Sequence, residues 1–278
     1  MKHGLVIFDG KIENYFGFAR ELGLTHLEID LFAREQKIEM FSPKRIKEIK
    51  KLAAEAGISL SLHLPYCLNP AALIPEIYKA CLKYFKKAFN LGGELGVRWV
   101  TAHPGYYQGL ASWDWMRQDA MAKLKGFLED MLVTCSSLKI PIALENNIML
   151  PQNGQFFHLG SSVRDFAGLF SSLDSPYLRM CLDTGHANIG EGVRPYLENF
   201  INEIINIHIH DNQGDMDEHL PPGQGTVEWL PFFDYLTGHE FEGVLTIELL
   251  NDDDKKAACQ YIRQGCRSVI LQRRMMAL

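Results

Sequence analysis

The sequence predicts an α/β protein, a single (β/α)8 TIM barrel over residues 1–278 with its active site at the C-terminal ends of the strands. Short apolar runs alternate with amphipathic stretches that end at Gly or Pro, which is typical of a parallel sheet. The length of 278 residues suits one barrel, which takes about 250 residues. The turn after the first strand reads Phe8-Asp-Gly-Lys11 and lacks the Gly-rich phosphate loop of an open doubly wound sheet.

Four strands are predicted in the first half of the chain, at residues 5–8, 26–30, 58–62 and 97–102. Helices are predicted between them at 13–22, 43–56 and 75–95. Ser42 and Pro43 supply an N-cap and a proline at the first helical position, and Gly57 and Gly96 end two of the helices. Each helix therefore has its own start or stop signal.

The second half continues the same alternation. A helix is predicted at 113–138, strands at 140–144, 178–182, 204–209 and 243–247, and a last helix at 254–274. Neither a linker nor a low-complexity segment interrupts the pattern of eight strands and eight helices. We therefore expect one domain.

Composition indicates a cytoplasmic protein. The N-terminus enters a strand directly, without a signal peptide, and no run of 18 apolar residues predicts a membrane span. The six cysteines are scattered without a C-x-x-C pair, so neither a disulfide framework nor a cysteine zinc site is expected. The net charge of −6 gives no support to nucleic-acid binding.

Metal-competent side chains follow the strands. Active sites of such barrels lie where the strands end. Residues of this kind are Glu28, His63, His103, Glu145, Asp183, His186, His208, His210, Asp211, Asp217, His219 and Glu248. Any one histidine could be a hydrogen-bonded core residue, but a buried unpaired charge is costly, so the set together favours a shared metal.

The motifs formed by these residues resemble those of the xylose isomerase-like TIM-barrel superfamily, which also contains endonuclease IV (AP endonuclease family 2). The resemblance covers essentially the whole chain. Its motifs are His63-x-Pro-Tyr66, His103-Pro-Gly105, Leu144-Glu145-Asn146, Asp183-Thr-x-His186, His208-x-x-Asp211, Asp217-x-His219, Gly223-Gln-Gly225 and Glu248.

The resemblance implies a divalent metal, Zn or Mn, with one to three ions. In the sugar isomerases and epimerases one ion is held by residues that match Glu145, Asp183, His208 and Glu248. Endonuclease IV holds three zinc ions and adds residues that match His63, His103, His186, Asp217 and His219. All nine positions are occupied here by residues of the matching type.

Two reactions follow from these ligands. A sugar isomerase or epimerase would move a proton α to a carbonyl, with Glu145 and Glu248, expected from opposite sides of the mouth, as acid and base on a metal-chelated sugar. His186 is a third catalytic candidate. Substrate-binding candidates are His63, His103, Tyr66 and Trp113. The alternative is an endonuclease IV-like AP endonuclease or phosphodiesterase with a trinuclear zinc site.

The loops at the mouth favour the sugar reaction. Segments 64–76, 104–116, 146–163, 184–193 and 211–228 contain no Lys or Arg, and the mouth offers Arg34 and Lys37 after the second strand and little else. DNA binding draws most of its affinity from such residues at phosphates. We expect a small-molecule sugar as partner and no membrane. Nucleic acid, a dehydration reaction, a non-enzymatic sugar-binding role and homo-oligomer formation stay open.

Overall fold

A closed barrel of eight parallel strands forms the centre of the protein. The computed structural model describes residues 1–109, 113–149 and 155–276. The barrel strands are β1 (Lys2–Ile7), β2 (His26–Asp30), β3 (Ser59–His63), β4 (Val100–Ala102), β6 (Ile142–Glu145), β8 (Leu178–Asp183), β9 (Ile204–Ile209) and β10 (Val244–Ile247). They pair in the order β1-β10-β9-β8-β6-β4-β3-β2, and β2 closes on β1. The predicted barrel is confirmed.

Helices surround the barrel. They are α1 (Tyr15–Glu21), α2 (Pro43–Ala56), α3 (Pro75–Leu95), α4 (Asp114–Leu138), α5 (Val163–Ser172), α6 (Thr184–Ile189), α7 (Val193–Phe200), α8 (Trp229–Gly238) and α9 (Asp252–Met276). As the sequence predicts, Ser42 caps α2 by accepting a hydrogen bond from the Arg45 amide, and Gly57 ends it in the left-handed conformation. Within the described residues, no helix is long and apolar enough to cross a membrane.

The structure differs from the sequence prediction in several places, and it describes nine helices instead of eight because both α6 and α7 follow β8. The helix predicted at 13–22 is a short 3-10 turn, Ile12–Asn14, followed by α1. The strand predicted at 97–102 contains only three residues of regular pairing, Val100–Ala102. A two-stranded antiparallel sheet, β5 (Tyr106–Gln108) with β7 (Phe156–His158), was not predicted, because its two short segments pair across about fifty residues of sequence.

Polar side chains occupy alternate positions of several barrel strands. His26, Glu28 and Asp30 alternate on β2, and Asn206, His208 and His210 alternate on and just after β9. Because successive side chains of a strand point to opposite faces, each set shares the barrel interior. Glu28 contacts His208 although their strands are not neighbours, which shows that both side chains point into the barrel interior.

The polar interior is divided into two levels. We call the lower one the buried layer, formed by His26, Glu28, Ser61, Trp99, Thr101 and Asn206. The upper one, at the strand ends, opens into the mouth. The fold therefore places imidazoles and carboxylates at both levels, and only the upper level reaches an open cavity.

Candidate active site

A cavity of about 470 Å³ lies at the C-terminal ends of the strands. Its described lining contains no Lys or Arg. The residues that line it are Phe8, Asp30, His63, Tyr66, His103, Gly105, Tyr106, Glu145, Asn147, Ile148, His158, His186, Asp217, His219, Glu248 and Leu250. The mouth is thus built from carboxylates, imidazoles and aromatic rings.

Three of the predicted carboxylate ligands surround one nitrogen of a fourth predicted ligand, His208. Nδ1 of His208 lies 2.8 Å from Oε2 of Glu248, 3.3 Å from Oε1 of Glu145 and 3.9 Å from Oδ2 of Asp183. Strand pairing brings Asp183 directly beside His208. Oε2 of Glu248 is buried and accepts no hydrogen bond of acceptable geometry. This donor set fits a divalent ion, which takes carboxylate oxygens and imidazole nitrogens together.

A second group forms on the other oxygen of Glu145. Oε2 of Glu145 lies 3.0 Å from Nε2 of His63 and 3.7 Å from Nε2 of His103. These three residues are close enough to share an ion. Glu145 therefore stands between two possible metal positions.

A third group surrounds Asp217. Its carboxylate lies 3.4 Å from Nε2 of His186 and 3.3 Å from Nε2 of His219. His210, which stacks on His219 with ring centroids 4.1 Å apart, lies within 3.8 Å of Asp217 and 3.0 Å of Asp183. All nine residues predicted as ligands are thus brought together, although their binding of metal stays a prediction.

The predicted histidine ligands are fixed in orientation. In four of them Nδ1 donates to an oxygen acceptor, which leaves Nε2 facing a carboxylate of the mouth. The pairs are His63 with the Leu64 carbonyl, His103 with Oδ1 of Asn147, His186 with the Asn146 carbonyl and His219 with the Glu248 carbonyl. His208 is reversed, since its Nε2 contacts Glu28 and its Nδ1 faces the mouth.

Two asparagines hold the end of β6 in place. The Asn146 side chain accepts a hydrogen bond from the Asp183 amide and donates to the Asp183 carbonyl, so it joins β6 to β8. Asn147 donates to the Leu159 carbonyl while it orients His103. The sequence Glu145-Asn-Asn147 therefore supplies one candidate ligand and two residues that position others.

Asp211 organises the loop after β9 instead of facing the mouth. Its carboxylate accepts hydrogen bonds from the amides of Gly223 and Val227 and from the indole of Trp229. A Cβ at Gly225 would lie 2.3 Å from that carboxylate, which explains the glycine there. The loop thereby holds Asp217 and His219 over the barrel. His219 has a φ of 50°, an uncommon conformation of the kind that clusters at functional sites.

The carboxylates and imidazoles of the mouth shift one another's pKa. Burial alone would raise the pKa of Glu145, but the neighbouring His103 and His208 hold it well below its usual range. Burial opposes protonation of His63, yet the Glu145 carboxylate raises the pKa of His63 to about 9. A bound cation would take the place of such protons, because ligands must be deprotonated to bind metal.

Three of the four predicted substrate-binding residues line the cavity. His63, His103 and Tyr66 line the cavity, and Tyr66 meets Phe32 edge-on. Trp113 does not line it: this residue precedes α4, stacks on Trp115 and is 44% exposed. Its contact with substrate stays a prediction. Residues 110–112 and 150–154 of the predicted mouth loops lie outside the described residues.

The structure places four polar residues outside the predicted ligand set in or next to the mouth. Glu28 and His210 were strand-end candidates in the sequence without an assigned role, and Asp30 and His158 were not singled out. Asp30 and His158 line the cavity, and Nδ1 of His158 is buried without a hydrogen-bond partner. His210 contacts Asp183, while Glu28 contacts His208 from below. The alternation of His26, Glu28 and Asp30 along β2 was the available signal for Asp30. His158 lies on β7, a strand that the sequence did not predict, and had no such signal.

The fold and site together define a TIM-barrel protein with imidazole and carboxylate groups clustered at its mouth. The chain belongs to the xylose isomerase-like TIM barrel family, whose model matches residues 16–269.

Three relatives illustrate the range of that family. A solved D-tagatose 3-epimerase-like protein is similar over 98% of this chain and 99% of its own, with a TM-score of 0.86 and 25% identity. An uncharacterized protein of Methanocaldococcus jannaschii is 27% identical over 227 residues, which are 80% of this chain and 75% of that protein. A probable endonuclease 4 of Thermoplasma acidophilum is 27% identical over 195 residues, 65% of this chain and 62% of that protein.

Proposed function

We propose that the protein is a divalent-metal-dependent epimerase or isomerase that moves a proton α to the carbonyl of a free sugar. The observation that carries the proposal is the group of Glu145, Asp183, His208 and Glu248. Two of its members, Glu145 and Glu248, line a cavity whose described lining contains no Lys or Arg. A neutral sugar needs no cationic partner. The similarity to an epimerase-like structure over nearly the whole chain supports the same conclusion.

Glu145 and Glu248 are the proposed acid–base pair. The sequence predicts them on opposite sides of the mouth. In the structure β6 and β10 are separated only by β8 and β9, and both carboxylates contact the same nitrogen of His208. They are therefore nearer to each other than residues that face across the barrel. A sugar carbon held between them would have one carboxylate to remove its proton and one to return it.

A divalent ion, when bound, would polarise the sugar carbonyl and its neighbouring hydroxyl as a Lewis acid. The protein residues supply the rest. The Glu145 and Glu248 carboxylates hold or move the proton, while His63, His103 and His186 lie near Glu145 and can hydrogen-bond sugar hydroxyls. The rings of Tyr66 and Tyr106 line the same cavity and offer apolar surfaces to a sugar.

A trinuclear phosphodiesterase is the second candidate. The additional groups around His63 and Asp217 favour it, because one ion cannot use nine ligands and clustered ions clamp a phosphate. The similarity to a probable endonuclease 4 points the same way. The scarcity of basic residues opposes it, since an extended DNA backbone requires contacts beyond the metal centre.

The two candidates are separated by one paired experiment. The metal-loaded protein is incubated in deuterated water with a panel of free ketoses, while a duplex with an abasic site is offered at physiological salt. We expect deuterium at the carbon next to the carbonyl of at least one ketose and inefficient nicking. Efficient nicking without exchange in any sugar would replace the first proposal by the second. The cytoplasmic location and a homo-oligomer stay predictions.

A further inference from the structure

Glu28 is a fully buried carboxylate in the buried layer, below the mouth. Four donors reach its Oε2 atom. They are Oγ of Ser61 at 2.5 Å, Oγ1 of Thr101 at 3.0 Å, Nε1 of Trp99 at 3.2 Å and Nδ2 of Asn206 at 3.4 Å. Because four donors surround it, Oε2 must act as a hydrogen-bond acceptor and carry no hydrogen of its own.

The other oxygen, Oε1, lies 2.7 Å from Nε2 of His208. An ionised carboxylate only accepts hydrogen bonds, so Nε2 of His208 must carry a hydrogen and donate it. The neutral imidazole then has its lone pair on Nδ1. That atom faces Glu145, Asp183 and Glu248.

His208 differs in this respect from its neighbours in the mouth. His63, His186 and His219 are oriented by backbone carbonyls, and His103 by an asparagine. Only His208, among the predicted histidine ligands, depends on a charged side chain, and this one comes from a strand 180 residues away. The reversed orientation of His208 therefore coincides with its contact to Glu28.

We propose that Glu28 is a positioning residue that fixes the His208 tautomer and so keeps Nδ1 free to bind a divalent metal. This inference rests on the proposed function, in which His208 is a metal ligand. The alternative is that Glu28 serves only to satisfy buried donors. Both roles predict that its loss destabilises the fold, but only the first predicts a change at the His208 ring.

Glu28→Gln distinguishes the two roles. The four donors around the former Oε2 position would bind the amide oxygen of the new glutamine side chain. Its amide nitrogen would then face His208 and donate a hydrogen bond to Nε2. The hydrogen of His208 would then move to Nδ1, where it blocks a metal. We expect Zn affinity, measured by competition with a chelator, to fall by about 10- to 100-fold.

Thr101→Val is the matched control. It removes one donor from the Oε2 side of the same carboxylate and leaves the contact with His208 unchanged. We expect reduced thermal stability but Zn affinity close to that of the unchanged protein. An equal loss of affinity in both variants would overturn the proposal, because the effect would then follow stability alone.

The tautomer is also observable without any substitution. In Zn-loaded protein with 15N-labelled histidine, long-range 1H–15N spectra should show a hydrogen on Nε2 of His208 and a metal-bound Nδ1, with His208→Gln used for assignment. A hydrogen on Nδ1 would overturn the proposal even if Glu28→Gln failed to fold. Failure of the unchanged protein to bind Zn would instead contradict the proposed function.

Discussion

His26 and His63 lie on neighbouring barrel strands, and both are buried, yet they differ in charge. His26 in the buried layer contacts the hydroxyls of Ser59 and Ser61, and burial lowers its pKa to about 3. His63 in the mouth loses solvent as well, but the Glu145 carboxylate raises its pKa to about 9. The partner, more than burial, decides whether a histidine in this barrel carries charge.

The buried layer and the mouth also differ in whether their polar atoms have hydrogen-bond partners. In the buried layer the ring of His26 stacks on Trp99, and both of its nitrogens have hydroxyl partners. In the mouth, atoms such as Oε2 of Glu248 and Nδ1 of His158 are buried without a hydrogen-bond partner. A buried polar group without a partner is costly. The buried layer therefore stabilises the barrel, and the mouth contains the polar atoms that are available to bind a ligand.

The largest effect is expected from Glu145→Gln, which removes the carboxylate shared by two candidate metal groups. Tight metal binding should be lost and proton exchange reduced by about a thousandfold or more. Glu94→Gln, on an exposed surface of α3, is the matched control and should leave both unchanged. Binding at the original stoichiometry in Glu145→Gln would show that the site is misplaced.

Removal of metal should have the next largest effect. A ligand at a hundredfold excess over its dissociation constant stabilises a folded protein by about 2.7 kcal/mol. Chelator-treated protein should therefore unfold several degrees lower than Zn- or Mn-loaded protein in a calorimetric scan. Identical transitions with and without the ions would argue against any tight metal site.

His26→Leu should affect stability alone. It leaves Ser59 and Ser61 with fewer partners and should cost about 1–3 kcal/mol in the free energy of unfolding. Metal affinity should be retained, because His26 does not reach the mouth. Loss of metal binding in a variant that melts cooperatively would contradict the separation between the two levels.

The smallest change is expected in an NMR titration of His26. Its pKa of about 3 in the folded state lies below the ordinary 6.5, so its ring signals should stay constant between about pH 8 and pH 5. Between 6.5 and 3 the unfolded chain binds a proton that the folded state does not, so this residue's contribution to stability is lost as the pH falls. A midpoint near 6.5 would show that the ring is not buried as described.

Much of the architecture could be predicted from sequence because it depends on local patterns. Ser42-Pro43, Gly57 and Gly96 mark helix ends wherever they occur, and parallel strands bring their C-terminal ends together. That geometry is why Glu145 and His208, widely separated in sequence, could be assigned to one site. Their actual contact agrees with the expectation.

What could not be predicted depends on tertiary contacts. The β5–β7 pairing and the contact between Glu28 and His208 join segments that have no local signal for each other. Asp211 belongs to the sequence motif of the mouth, but its hydrogen bonds hold the following loop. Sequence therefore predicted which residue types gather at the mouth, and the structure was needed to separate candidate ligands from the residues that orient them.

Metal-dependent proton exchange on a free ketose tests the central claim most directly. Chelator-treated protein is placed in deuterated water with the ketose panel, and deuterium at the carbon next to the carbonyl is measured before and after one equivalent of Mn is added. We predict no incorporation before addition and steady incorporation afterwards, which is lost again in Glu145→Gln. Incorporation that does not depend on the metal, or none in any sugar, would contradict the account.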